Sequence, residues 1–339
     1  MKLDRVQQRT EFLKSAGWED SESVALQQDA SFRQYFRITK NKDAAILMDA
    51  PPPMENVSAF LDISRRLKVT GVKVPNIYFS DRKLGFILLE DLGDQTFTRL
   101  LDRGVEEHTL YRHAFNALTK FQRSPNLDIA GLNSYDHYAI LKETRLFRDW
   151  YLPAIKGQRL CADSQLEFDE IWTALEKQIP NLGSVLVHRD FHVDNLMMVE
   201  NECALVDYQD ALRGSPIYDL VSLLEDARRD VADSIQSDLK TLFLKNNPEI
   251  DHSDFEIQFS FWAAQRHCKV AGIFTRLWIR DGKSDYLKHI PRVLRLLKQH
   301  LSHPALGSLS NWIERQTEGL TIIPNLDAEE KLKKLLLNE

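Results

Sequence analysis

The sequence predicts an α+β chain with a small antiparallel-sheet lobe at the N-terminal end and a large helical lobe after it. Two observations carry this: five strand-like runs crowd into the first 90 residues, and apolar residues switch to helical spacing from Asp91 onward. A third is local. One strand, loop and hairpin, from Val185 to Asp207, interrupts the helices and holds most of the chain's chemistry-bearing residues.

The elements follow in order. Residues 4–16 read as an amphipathic helix with Val6, Phe12, Leu13 and Ala16 on its apolar side, stopped by Gly17. Strands are expected at 23–28, 34–39, 44–48, 77–80 and 85–90, with a helix at 56–69 that begins after Pro51-Pro52-Pro53 and ends at Gly71. Residues 1–90 are thus expected to form the N-lobe, 91–94 a hinge and 95–339 the helical C-lobe. Helices are predicted near 106–123, 137–152 and 164–179, the last stopped by Pro180. Ser215-Pro216 then caps a helix through Leu224, and two long helices near 253–280 and 284–302 precede short ones.

Within VLVHRDFHVDNLMMVENECALVDYQD, an apolar strand at 185–187 feeds a polar loop, and the loop feeds a hairpin turning at Glu200-Asn201-Glu202. That path returns Asp207 beside Asn195. Phosphoryl transfer needs one carboxylate to orient the attacking hydroxyl, and an amide and a carboxylate to hold magnesium on the phosphates. Asp190, Asn195 and Asp207 supply these in turn. Zinc or iron is the competing metal for this loop, but its His and Asp residues alternate without a His pair on one helical face, and oxygen donors suit magnesium. His188 reads as a brace of the loop, while Asp194, Asp210 and Arg213 are candidates to touch the acceptor. Only eight residues separate Asp207 from Pro216, too few to present a peptide, so the acceptor should be a small molecule.

The catalytic-loop pattern at Asp190 and Asn195 and the aspartate at Asp207 resemble the aminoglycoside phosphotransferase family, over nearly the whole chain. That likeness implies a bilobal, protein-kinase-like fold with ATP and magnesium as co-substrate and cofactor. Glu90 and Leu92 would then meet the adenine edge through their backbone, and Asp219 would tie the catalytic loop in place. Three further segments, Asp29 to Arg37, Met48 to Pro52 and Gln265 to Lys283, resemble members that phosphorylate the anomeric hydroxyl of N-acetylmuramate and N-acetylglucosamine in cell-wall recycling. Two features depart from protein kinases: no glycine occurs between Gly17 and Gly71 to build a phosphate loop, and Met48 stands where a strand lysine is expected. Ser31, Arg33 and Arg37 are the candidates to cover the phosphates, the two arginines lying on one strand face. Trp262, Arg266 and Lys269 share a helical face, with Trp262 a candidate sugar platform and the cations candidate partners for a lactyl carboxylate. A kinase of an aminoglycoside, choline or homoserine-like acceptor is the alternative enzyme. A degenerate kinase fold that only binds nucleotide is the alternative of another class.

Composition sets the remaining bounds. A net charge of -6 gives no footprint for nucleic acid, and the N-terminal stretch has no apolar signal core. No run is long enough for a membrane span, and three widely spaced cysteines suit reduced thiols. A cytoplasmic protein is expected.

Overall fold

The computed structural model describes residues 4–26, 33–317 and 319–337. Two compact units emerge, one made of residues 1–128 with 192–211 and the other of residues 129–191 with 212–339.

In the first unit, α1 (Arg5–Ser15) starts at a reciprocal capping box between Asp4 and Gln7 and buries Phe12 and Leu13. Strands β1 (Glu22–Ala25), β2 (Gln34–Lys40) and β3 (Asp43–Asp49) follow, then α2 (Val57–Lys68), β4 (Ile77–Asp81) and β5 (Phe86–Glu90). The sheet order is β1-β2-β3-β5-β4, antiparallel at every pairing. Alternation explains its core: Ala45 and Leu47 of β3 and Phe86 and Leu88 of β5 share a face with Ile38, and Phe12 and Leu13 of α1 pack on it. Each fully buried Leu, Ile or Phe among them contributes roughly 1.5–3 kcal/mol relative to exposure. Two further helices, α3 (Phe97–Asp102) and α4 (Glu107–Gln122), complete this stretch. The reading of the sequence did not include α3.

The chain continues in the second unit with α5 (His137–Leu146), a π-turn at Phe147–Tyr151, α6 (Leu152–Lys156), α7 (Ala162–Gln178) and β6 (Val185–Val187). Residues 192–211 return to the first unit with a 3-10 turn (Val193–Asn195), β7 (Leu196–Val199) and β8 (Glu202–Leu205). The remainder belongs to the second unit: β9 (Leu212–Gly214), α8 (Tyr218–Leu224), α9 (Asp233–Asn246), α10 (His252–Asp281), a 3-10 turn (Ser284–His289), α11 (Ile290–Leu301), α12 (Gly307–Thr317) and α13 (Glu329–Leu337). The 30-residue α10 is the axis of that unit, packing on α5, the π-turn, α8 and α11. Its residues are buried almost all round, the pattern of a helix surrounded by others. Among the described residues no helix is long and apolar enough to cross a membrane.

Candidate active site

In the second unit, β6 pairs with β9 and releases the chain at His188. The fully buried Asp219 of α8 then grips the loop backbone, accepting from His188 N at 2.6 Å and from Arg189 N at 3.0 Å. Burial pushes its carboxyl up to about 7 against the pull of those two donors. Arg189 adopts a left-handed backbone at φ 77°, an uncommon state for a residue with a Cβ, and needs such external support. Arg266 of α10 supplies more: its Nη1 donates to Arg189 O at 2.8 Å and lies 3.8 Å from Asp190 Oδ1. The Asp190 side chain keeps 41% of its surface exposed, so a carboxylate held on a fixed backbone remains open to a reactant.

Beneath this loop lies a buried polar network that sequence reasoning missed. Glu143 of α5 receives the Arg189 guanidinium and the Tyr135 hydroxyl, accepts from Gln265 Nε2 at 2.9 Å, and pairs with Lys269 at 3.3 Å. Burial alone would raise its carboxyl, but the charges of Lys269 and Arg189 and the hydrogen bonds bring it down to about 2. A signal was present, because Glu143 occupies the apolar face of a helix beside Ile140, Leu141 and Thr144.

In the first unit, Asn195 closes the 3-10 turn and the hairpin begins at once. Glu200 and Asn201 both take positive φ, 50° and 64°, the two-residue turn whose twist matches the flanking strands. Leu196 lies opposite Leu205, and Val206 N donates to Asn195 O at 3.1 Å, so Asn195 and the residues leading to Asp207 run side by side. Asp207 is itself left-handed at φ 61°. Gln209 Nε2 donates to Asp207 Oδ1 at 3.0 Å and to Asp210 Oδ2 at 3.2 Å, which gathers the two carboxylates. Arg33 stands over them, with Nη1 3.7 Å from Asp207, Nη2 3.8 Å from Asp210 and Nε 3.5 Å from Glu55. Its Nε and Nη1 are buried without a hydrogen-bond partner among the described residues, so a guanidinium already inside an acidic cluster still has donors to give. The oxygen donors of Asn195 and Asp207 fit a hard divalent cation such as magnesium.

Arg37, Asp194, Trp262, Arg266 and Lys269 are engaged otherwise than expected. Arg33 precedes β2 and Arg37 lies on it, pointing its guanidinium at Asp91 (2.6 Å), Asp94 (3.0 Å) and Gly93 O (3.3 Å), bracing residues 91–94 instead of covering phosphates. The Glu90 side chain is engaged by Lys73 (3.0 Å) and Asn76 (2.7 Å), and Leu92 is half-buried. Asp194 accepts the hydroxyl of Thr98 and so fastens the loop to α3. Trp262, at 3% exposure, donates its indole N–H to Gln258 (2.6 Å) and packs against Tyr135 and Tyr218, and it is not an open platform. Arg266 and Lys269 serve the catalytic loop and Glu143 because α10 is enclosed on all sides. His188 is buried, its ring edge-on to Phe191 at 5.8 Å, a bracing position. Ser31 lies outside the described residues, and Arg213 is exposed on β9 with its Nη2 on Ser134 Oγ at 2.9 Å.

A second group of ligand-type side chains, Glu225, His267 and His300, gathers within 4.8 Å. The imidazole nitrogens sit 2.6 and 2.7 Å from the carboxylate oxygens, which is hydrogen-bond spacing. Neighbouring ligands on tetrahedral zinc are roughly 3.3 Å apart.

The loop at Asp190, in one unit, and the hairpin with its left-handed aspartate, in the other, are features that fit a phosphotransferase. The phosphotransferase enzyme family profile matches residues 23–249, and the chain belongs to that family. A Pseudomonas aeruginosa protein named N-acetylmuramate/N-acetylglucosamine kinase is 34% identical over 322 residues, covering 91% of this chain and 94% of that protein. A Neisseria meningitidis protein of the same name is 35% identical, covering 80% and 83% respectively. Among solved structures, a choline/ethanolamine kinase family protein from Mesorhizobium loti superposes with a TM-score of 0.60 at 14% identity, over 92% of this chain and all of that one. The fold is accordingly protein-kinase-like, with an antiparallel N-terminal sheet and a largely helical remainder.

Proposed function

We propose that the protein transfers the γ-phosphoryl group of ATP to the anomeric hydroxyl of N-acetylmuramate or N-acetylglucosamine, yielding the sugar 1-phosphate in cell-wall recycling. The observation that carries this reading is the held but open Asp190 carboxylate, five residues ahead of an Asn195 that lies alongside the return to Asp207. Its acceptor comes from the names of relatives that align over most of the chain.

Asp190 orients the acceptor hydroxyl and takes its proton as the new oxygen–phosphorus bond forms and the bond to the ADP oxygen breaks. An anomeric hydroxyl is more acidic than an ordinary alcohol, so a carboxylate suffices as base. Asn195 and Asp207 would hold magnesium, which supplies positive charge to the phosphate oxygens. Arg33 takes the place of the missing strand lysine, offering its remaining N–H donors to phosphate oxygens. Arg266 fixes Asp190 by holding the preceding carbonyl. Within this reading residues 1–90 form the nucleotide lobe, 91–94 the hinge and 95–339 the acceptor lobe. Free Cys161, Cys203 and Cys268 suit the reducing cytoplasm in which ATP and these sugars would be met.

Incubation with ATP, magnesium and a panel of amino sugars tests it. Acid-labile sugar 1-phosphate from N-acetylmuramate or N-acetylglucosamine is expected. Acid-stable 6-phosphate would overturn the anomeric assignment, and tight nucleotide binding without turnover on any hydroxylated acceptor would favour a binding protein.

A further inference from the structure

We propose that a cavity of about 260 Å³ in the second unit, walled by Ser134, Tyr135, Glu176, Arg213, Gln258 and Trp262 among others, binds the carboxylate-bearing part of an acidic amino sugar, with Arg213 as its anion receptor. This rests on the amino-sugar reading above and makes it specific. Four cations were candidates for such a contact once the lower end of the loop and α10 are counted, and the structure separates them. Arg189 and Lys269 share the buried Glu143 carboxylate, and Arg266 is committed to the Arg189 carbonyl beside Asp190. Arg213 alone of the four is exposed and has no ion pair among the described residues.

Arg213 and Ser134 together offer donors to an anion. Arg213 Nη2 donates to Ser134 Oγ at 2.9 Å, which leaves the Ser134 hydroxyl hydrogen to donate onward. A carboxylate could accept from both. Glu176 is the other charged residue of the wall, and it is hydrogen-bonded to His137 at 2.6 Å. The Gln258 oxygen accepts from Ser215 at 2.9 Å and Trp262 at 2.6 Å, and one of its two amide N–H groups donates to Pro180 O. Gln258 shapes the wall, and Arg213 is the charged donor among the wall residues. Drug-sized ligands occupy pockets of roughly 300–1,000 Å³, so this smaller volume suits a monosaccharide better than an extended aminoglycoside.

The main chain of Arg213 is pinned without its side chain, because Arg213 N donates to Asn133 O (2.9 Å) and Arg213 O accepts from Tyr135 N (2.8 Å). Arg213→Gln should therefore fold, and an unchanged Tm checks this. For N-acetylmuramate, KM should rise roughly 10- to 100-fold with kcat within about twofold, while both constants for N-acetylglucosamine stay within about twofold. Arg213→Lys should recover part of the loss. Equal losses for the two sugars, or no loss for N-acetylmuramate, would overturn the assignment. Should the wild-type protein turn over neither sugar, the kinase reading fails separately. Calorimetric binding of N-acetylmuramate to the wild type and its weakening in Arg213→Gln would then still decide the cavity's role, and equal binding by the two proteins would refute it.

Discussion

At the scale of single residues, Arg33 and Arg37, expected on one strand face, show how a shared periodicity can hide different roles. Arg33 sits among Glu55, Asp207 and Asp210, where the combined charge of Tyr35 and these carboxylates raises its pKa despite the opposing effect of burial. Arg37 faces Asp91 and Asp94, on the segment that follows β5. Arg33→Gln should raise KM for ATP roughly tenfold or more, since a charge-assisted contact to phosphate is removed. Arg37→Gln should leave KM for ATP within about threefold, because partly exposed ion pairs contribute only about 0–1 kcal/mol. Steady-state kinetics on both variants check this, and a reversed order of effects would exchange their roles. Asp190→Asn should lower kcat by about 10²–10⁴ with ATP binding retained, the loss of a general base without loss of the nucleotide site. Asp190, Asn195 and Asp207 stand out in the sequence because phosphoryl-transfer chemistry asks for these residue types within one short stretch, and the structure runs Asn195 beside the return to Asp207. The partners of Arg33, Arg37 and Lys269 do not stand out there, since each is decided by residues at least 22 positions away.

Among the elements, the contact between α5 and α10 is the tightest test of packing. Gly272 lies where a Cβ would come within 2.2 Å of Leu146 C and 2.4 Å of Leu146 O, so the two backbones approach as only glycine permits. The π-turn at Phe147–Tyr151 begins one residue later. Gly272→Ala should destabilise by about 1–3 kcal/mol or more, through forced separation of the helices, and the Tm of the variant measures it. An unchanged Tm would mean that α5 can shift freely. The sequence presents residues 137–152 as one helix because the π-turn keeps an almost helical periodicity and contains neither proline nor glycine. Two features adjoin it: Gly272 packs on Leu146 just before it, and Pro153, which has no N–H to donate, follows two residues after it. Helix α9 is a different miss: Ile235, Leu239 and Phe243 recur at four-residue spacing, so its buried stripe was available to read. Strand β9 is too short for any periodic signal and exists through its pairing with β6.

For the molecule as a whole, buried ionisable groups set how stability responds to pH, and two of them act in opposite directions. His267 is fully buried; desolvation lowers its pKa below 6.5 even though Glu225 favours its charged form. Its contribution is present above the unfolded value of about 6.5 and is lost as pH falls through the lower folded value. Asp219, raised to about 7 by burial, contributes fully only below the unfolded value near 3.8, and that contribution is lost as pH rises through about 7. Between pH 4 and 7 the two effects offset each other, so the wild-type Tm alone does not resolve them. Variants do. His267→Gln should make Tm fall less on acidification from pH 7.5 to 5 than in the wild type, and Asp219→Asn should make it fall more. A third group acts lower: Glu143, held near 2 from an ordinary value of 4.5, contributes above about pH 4.5 and loses that contribution as pH falls toward 2, so Glu143→Gln should flatten the curve there. Thermal unfolding of the four proteins at half-unit pH steps measures all three slopes. If His267→Gln and Asp219→Asn change the slope in the same direction, at least one of the two groups holds the opposite charge state to the one its burial and partners dictate.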